Sequence, residues 1–138
     1  MGSNHKHAAT DDPDGNTLNV RFLEEESHRA VEVAGWMASF IGEARETLDI
    51  AIYDCHLSKE PAALLRSALA ERRRQGVRIR LVYDDGAKPE TEAGVEDKGV
   101  EPAPRDTHER VKELDLPDES LRAIRGERAL MHQKYLVR

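Results

Sequence analysis

Apolar residues recur along the chain with two periods, and the order in which those periods alternate defines a βα pattern. Between about Phe22 and Glu46 they fall at Ala30, Val33, Ala34, Met37, Phe40, Ile41 and Ala44. This three/four spacing predicts an amphipathic helix with one face turned inward. Trp36 borders that face and reads as a core-edge residue. "TLDIAIYD", residues 47–54, is rich in β-formers, with Leu48, Ile50 and Ile52 on one side and Ala51 and Tyr53 on the other. A strand apolar on both sides is expected to be covered by helices on both.

A second helix is marked at each end. Ser58 stands in an N-cap position before "KEPAALLRSALAERRRQG", Glu60 and Pro61 lie in the first turn, Arg72, Arg73 and Arg74 in the last, and Gly76 terminates it. Cations are favoured at a helix C-terminus by the peptide dipoles, which accounts for the three arginines without a ligand. "VRIRLVYDD" then alternates Val77, Ile79, Leu81 and Tyr83 against Arg78, Arg80 and Val82. Strand, helix and strand joined by short connections form a βαβ unit with parallel strands.

The pattern weakens on either side of this unit. Residues 1–21 are mostly polar and aperiodic, and read as a disordered leader in which His5 and His7 lack the fixed geometry a metal needs. Residues 84–106 hold Gly, Pro and acids without a period and read as a long surface loop. A short helix is expected from Thr107 to Leu114, stopped by Pro117. "SLRAIRGERALMHQKYLVR" shows two alternating runs joined at Gly126 and Glu127, a pair suited to a type II′ hairpin. The predicted fold is α/β, a mixed, largely parallel sheet flanked by helices over residues 22–138.

Charge adds one localisation. The chain of 138 residues has a formal net charge of -6. Thirteen Asp and Glu against five Lys and Arg lie between Asp84 and Glu119, a net of -8 that leaves the remainder at +2. The acidity therefore belongs to the loop region, and an anion site elsewhere stays open. Hydrophobic residues make up 38% and charged residues 35%, with no run near the ~18 apolar residues of a spanning helix, so a soluble cytoplasmic protein is the default. Cys55 is the single cysteine, which excludes an intrachain disulfide and a sulfur-rich metal site.

Candidate chemistry concentrates in "ALMHQKYLVR". On a strand His132 and Lys134 share a face about 7 Å apart. Met131, Gln133 and Tyr135 take the other face, and Leu130, Leu136 and Val137 are expected to anchor the strand in the core. Cationic groups on a largely buried strand ask for an anion. A phosphate fits: Lys134 neutralises a nonbridging oxygen, while a neutral His132 attacks phosphorus and forms a phosphohistidine. Cys55 and His56 diverge as neighbours in sequence and make a poor nucleophilic pair. Asp54 and the "DDG" of Asp84 to Gly86 stand at strand C-terminal ends, where α/β proteins place ligands, although Asp-Asp-Gly is also ordinary turn chemistry.

The strand "ALMHQKYLVR" resembles the one carrying the H-x-K-x4-D signature of the phospholipase D superfamily. The likeness extends upstream through "IAIYD", a helix, "VRIRLVYD" and a variable insertion, and so covers residues 22–138. It implies a metal-independent phosphodiester hydrolase or transphosphatidylase that needs no cofactor. His132 matches the catalytic histidine and Lys134 the phosphate-binding lysine. The substrate would be a phospholipid or a nucleic acid, and a second H-x-K half would come in cis or from a homodimer. The motif's aspartate would follow Arg138, so the resemblance implies one half-domain truncated inside its motif, with little or no activity from these residues alone. A noncatalytic binding or oligomerisation module on the same scaffold is the alternative.

Overall fold

The computed structural model describes residues 8–11, 17–20, 23, 28–85, 106–124 and 133–138. In chain order the elements are β1 (Ala8–Asp11), β2 (Thr17–Val20), α1 (Ala30–Gly42), β3 (Thr47–Ile52), α2 (Lys59–Arg74), β4 (Arg78–Asp84), α3 (Thr107–Lys112), a single 3-10 turn (Asp118–Ser120), β5 (Leu121–Ile124) and β6 (Tyr135–Val137). Most of the 84–106 loop, from 86 to 105, lies outside the described residues. So do His132 and the Gly126–Glu127 pair.

The fold is α/β. Four strands form a mixed, mostly parallel sheet in the order β5-β4-β3-β6, flanked by helices. β3 and β4 run parallel with Leu48 beside Ile79 and Ile50 beside Leu81, and β5 continues the parallel arrangement on the far side of β4. β6 pairs antiparallel with β3, Ile50 opposite Leu136.

α1 begins at Ala30, where the three/four pattern itself begins, rather than near Phe22. Its start is fixed by the Arg29 amide, which donates to a Glu32 carboxylate oxygen at 2.8 Å and so satisfies one of the donors a helix start leaves open. α2 is placed as its sequence markers require, with one difference. Ser58 occupies the N-cap with extended backbone, but its hydroxyl makes no capping bond, and the Ser58 carbonyl receives the Ala62 amide at 3.0 Å. At the other end Gly76 has φ +85°, the Gly76 amide donates to the Arg73 carbonyl at 2.9 Å and the Val77 amide to the Arg72 carbonyl at 3.0 Å. That pair of bonds is a Schellman closure, which needs a left-handed residue and therefore glycine.

Two of the three arginines tie elements together as well as complement the dipole, while Arg74 pairs with Glu71 within α2. Arg72 Nη1 donates to the Ala44 carbonyl at 3.4 Å, just past the end of α1. Arg73 Nη1 donates to the Asp115 carbonyl at 3.1 Å, just past α3. Each of these two guanidiniums meets a carbonyl just beyond a helix end, where no intrahelical amide reaches.

One buried cluster joins Ala34 and Ile41 of α1, Leu65 and Leu69 of α2 and Val111 of α3 to Leu48, Ile50, Ile79, Leu81 and Tyr83. Those strand residues share one sheet face by register, so the three described helices pack on that face. The expectation that β3 is covered by helices on both sides is corrected accordingly: among the described residues the opposite face bears no helix, and Asp49, Arg78 and Arg80 stand on it.

One further expectation changes. β5 and β6 do not form a hairpin about Gly126 and Glu127, because they occupy opposite edges of the sheet. Turn chemistry is local, whereas each strand docks where its apolar residues can be buried. Leu121 and Ala123 meet the core beside β4, and Leu136 meets it beside Ile50. β1 and β2 pair as an antiparallel ribbon, a sheet of its own.

Candidate functional site

Parallel strands β3 and β4 end on the same side of the sheet, and the segments that follow them gather most of the chemistry-bearing side chains. β3 ends at Ile52, and the next residues are Tyr53, Asp54, Cys55 and His56 before α2 begins. Tyr53 and Cys55 turn inward and are buried, while His56 faces solvent. Asp54 is anchored by its own turn: Oδ1 accepts the Cys55 amide at 2.7 Å, leaving Oδ2 3.2 Å from His56 Nε2.

His56 also reaches a residue distant in sequence. Its Nε2 lies 3.8 Å from Asp106 Oδ1. Asp106 opens α3, and its other oxygen accepts Arg110 Nε at 3.3 Å. The imidazole therefore bridges the carboxylates following β3 and preceding α3. This array can hold a proton at Nε2 and orient it. It does not make a metal centre: among the described residues no group of three or more His, Cys, Asp and Glu side chains could hold a metal ion.

β4 contributes a second polar contact. Tyr83 is buried near the strand end, and its hydroxyl is hydrogen-bonded to His108 Nδ1 on α3, the rings 5.8 Å apart and tilted by 31°. Beside it the Thr107 hydroxyl is buried without a hydrogen-bond partner among the described residues. Asp84 is buried at the end of β4, and the neighbouring Asp85 amide donates to the Ile124 carbonyl at 3.1 Å.

Lys134 enters from the other side of β3. It immediately precedes β6, and its ammonium lies 5.0 Å from the centre of the Tyr53 ring, a cation-π distance. It is exposed, not buried as the strand pattern implied. Val137 too lies 54% exposed rather than in the core. The physical reason is that β6 is a three-residue edge strand with one inward position, Leu136. His132 lies outside the described residues, so the H-x-K pair is seen here only through its lysine.

Cys55 is no nucleophile in this setting. Burial, with the nearby Asp54 charge adding to it, pushes its thiol up to about 11, which leaves it protonated at neutral pH. The separation of Cys55 and His56 into an inward and an outward side chain agrees with what their adjacency in sequence implied.

The sequence pointed to Asp54 and Lys134 at this end of the sheet. It did not point to the His56–Asp106 or Tyr83–His108 contacts, each of which joins groups separated by a long loop. The one sequence signal available was that histidines follow both a strand end and a helix start. No helix among the described residues is long and apolar enough to cross a membrane. Compared with models of protein families, with curated proteins and with solved structures, the chain finds no match.

Proposed function

We propose that this chain is a phosphodiester-processing domain of the phospholipase D type, a metal-independent hydrolase or transphosphatidylase acting in the cytoplasm through a phosphohistidine. The observation that carries the reading is where the lysine of the H-x-K sequence sits. Lys134 stands at the C-terminal end of β3, over Tyr53, the residue that precedes the Asp54–His56 pair in the chain. Ligands of open α/β sheets bind at such strand ends.

In this reading the His132 imidazole attacks phosphorus, a P–N bond forms and the bond to the leaving alkoxide breaks. Lys134 offsets the charge on a nonbridging oxygen as the transition state develops. An acid must protonate the departing alkoxide, and water then attacks phosphorus to expel the imidazole. In a transphosphatidylase an alcohol takes the place of that water. The acid comes from a second H-x-K half, in cis or in a homodimer. Within the chain, His56 follows the same strand end and is oriented by two carboxylates.

A single-turnover assay in EDTA tests this, with bis(p-nitrophenyl) phosphate and phosphatidylcholine as substrates and an alkaline quench to preserve phosphohistidine. Turnover with a trapped adduct, both lost in His132→Asn and turnover weakened in Lys134→Ala, is the expected result. Absence of turnover and adduct on both substrates, at concentrations high enough to drive self-association, would move the assignment to a noncatalytic binding module.

A further inference from the structure

The sheet face opposite the helices has a composition of its own. By register it carries Asp49 of β3, Arg78 and Arg80 of β4, Arg122 of β5, and Tyr135 and Val137 of the edge strand β6. All three arginines are exposed, Tyr135 is 50% exposed and Val137 54%. Ala51 and Asp84, farther along the same face, are buried, which confines the open region to the part around the arginines and the β6 edge.

The cations outnumber the anions there. Asp49 forms a two-pronged pair with Arg80, Oδ1 to Nε at 2.5 Å and Oδ2 to Nη2 at 2.6 Å. Arg78 and Arg122 have no ion-pair partner among the described residues. In a chain of net charge -6 this is a local reversal of sign. Arg78 and Arg80 project about 7 Å apart along one strand, and Arg122, one strand over and diagonal to Arg80, lies about 8 Å from it. The guanidiniums thus run along β4 and step across to β5, with an exposed aromatic ring on the same face.

We propose that this open sheet face docks single-stranded nucleic acid. Guanidinium groups match phosphate oxygens in pairs, and an exposed tyrosine ring offers a surface on which a base stacks. A membrane is a poorer fit, since the exposed large apolar side chains on the described face are one tyrosine and one valine, far short of an amphipathic helix. An acidic peptide would satisfy the arginines but offers no base to stack on Tyr135. The proposal does not depend on the hydrolase reading, because it concerns binding at a face away from the strand ends.

The test is equilibrium binding of a fluorescein-labelled oligothymidine, followed by anisotropy in EDTA over a range of salt. Two phosphate contacts, from Arg78 and Arg122, predict a slope of log affinity on log salt of about -1.4. In Arg78→Glu/Arg122→Glu the slope should fall to near zero and binding weaken about tenfold or more at low salt. Arg78→Gln/Arg122→Gln should show the same loss of slope, and far-UV circular dichroism verifies that each variant is folded. Tyr135→Ala should weaken binding about tenfold with the slope unchanged. The proposal is overturned if the chain does not bind the oligonucleotide at low salt, or if the folded arginine variants bind with the original slope. It is also overturned if phosphatidylserine vesicles bind and the oligonucleotide does not, or if polyglutamate competes fully and Tyr135→Ala has no effect. Because the readout is binding rather than turnover, failure here and failure of the hydrolase reading are separate results.

Discussion

The thiol of Cys55 offers a quantitative check on the arrangement after β3. The side chain is 7% exposed, its ionised form is disfavoured by burial and by the Asp54 charge, and its titration moves from 9.0 to about 11. At neutral pH the thiolate fraction therefore falls about 100-fold relative to an unperturbed cysteine. A more basic thiolate is intrinsically more nucleophilic, by about six- to tenfold for this shift. The net effect is a rate about 10- to 15-fold slower from ionisation alone, before restricted access slows it further. Ellman's reagent in native buffer and in guanidinium chloride measures both rates in one protein. Raising the pH should restore native reactivity along a curve centred near 11. The same shift has a consequence for stability. Folding raises the pKa of an acid, so the folded state binds more protons between pH 9 and 11 and stability falls as pH rises through that window, by up to about 2.7 kcal/mol. Native labelling at neutral pH within threefold of the denatured rate would refute the buried placement of Cys55 and with it the geometry that leaves Asp54 facing His56.

Other perturbations follow from named contacts. Leu69 on α2 is 1% exposed and Leu64 on the same helix 39%; Leu69→Ala should cost about 3 to 5 kcal/mol by urea unfolding, and equal losses for Leu64→Ala would show that α2 is rotated. Gly76→Ala, at φ +85°, should destabilise by about 1 to 2 kcal/mol, because a Cβ is disfavoured in the left-handed region; an unchanged unfolding midpoint would contradict the Schellman closure. The Asp49 carboxyl is held below its ordinary range chiefly by its hydrogen bonds from Arg80, with Arg78 adding a smaller share. The small stabilisation it contributes is therefore present above the unfolded value of about 3.8 and lost as pH falls through the folded one. Carboxyl-detected NMR should find Asp49 titrating below that value and returning towards it in Arg80→Gln; a titration unaffected by Arg80→Gln would place the pair apart.

Much of the architecture was written locally. The three/four spacing from Ala30, the Gly76 stop and the strict alternation of Val77, Ile79, Leu81 and Tyr83 each act within a few residues, because hydrogen bonding inside a turn and the burial of one face depend mainly on neighbours in the chain. The parallel β3-α2-β4 unit follows from those signals, and so does Asp54 at the end of a strand. The candidate site was legible to the same depth: the residues after β3 and the lysine of H-x-K could be named, but not their surroundings.

What only the tertiary structure decided is which surfaces meet. β5 and β6 read as a hairpin, yet they dock at opposite edges, since the gain from burying Leu121, Ala123 and Leu136 against the existing core outweighs the local preference of a Gly-Glu turn. A short alternating run specifies two faces without specifying a neighbour. That is why the exposure of Lys134, the bridging of His56 to Asp106 and the arginine face opposite the described helices emerge only when elements distant in sequence pack around one core.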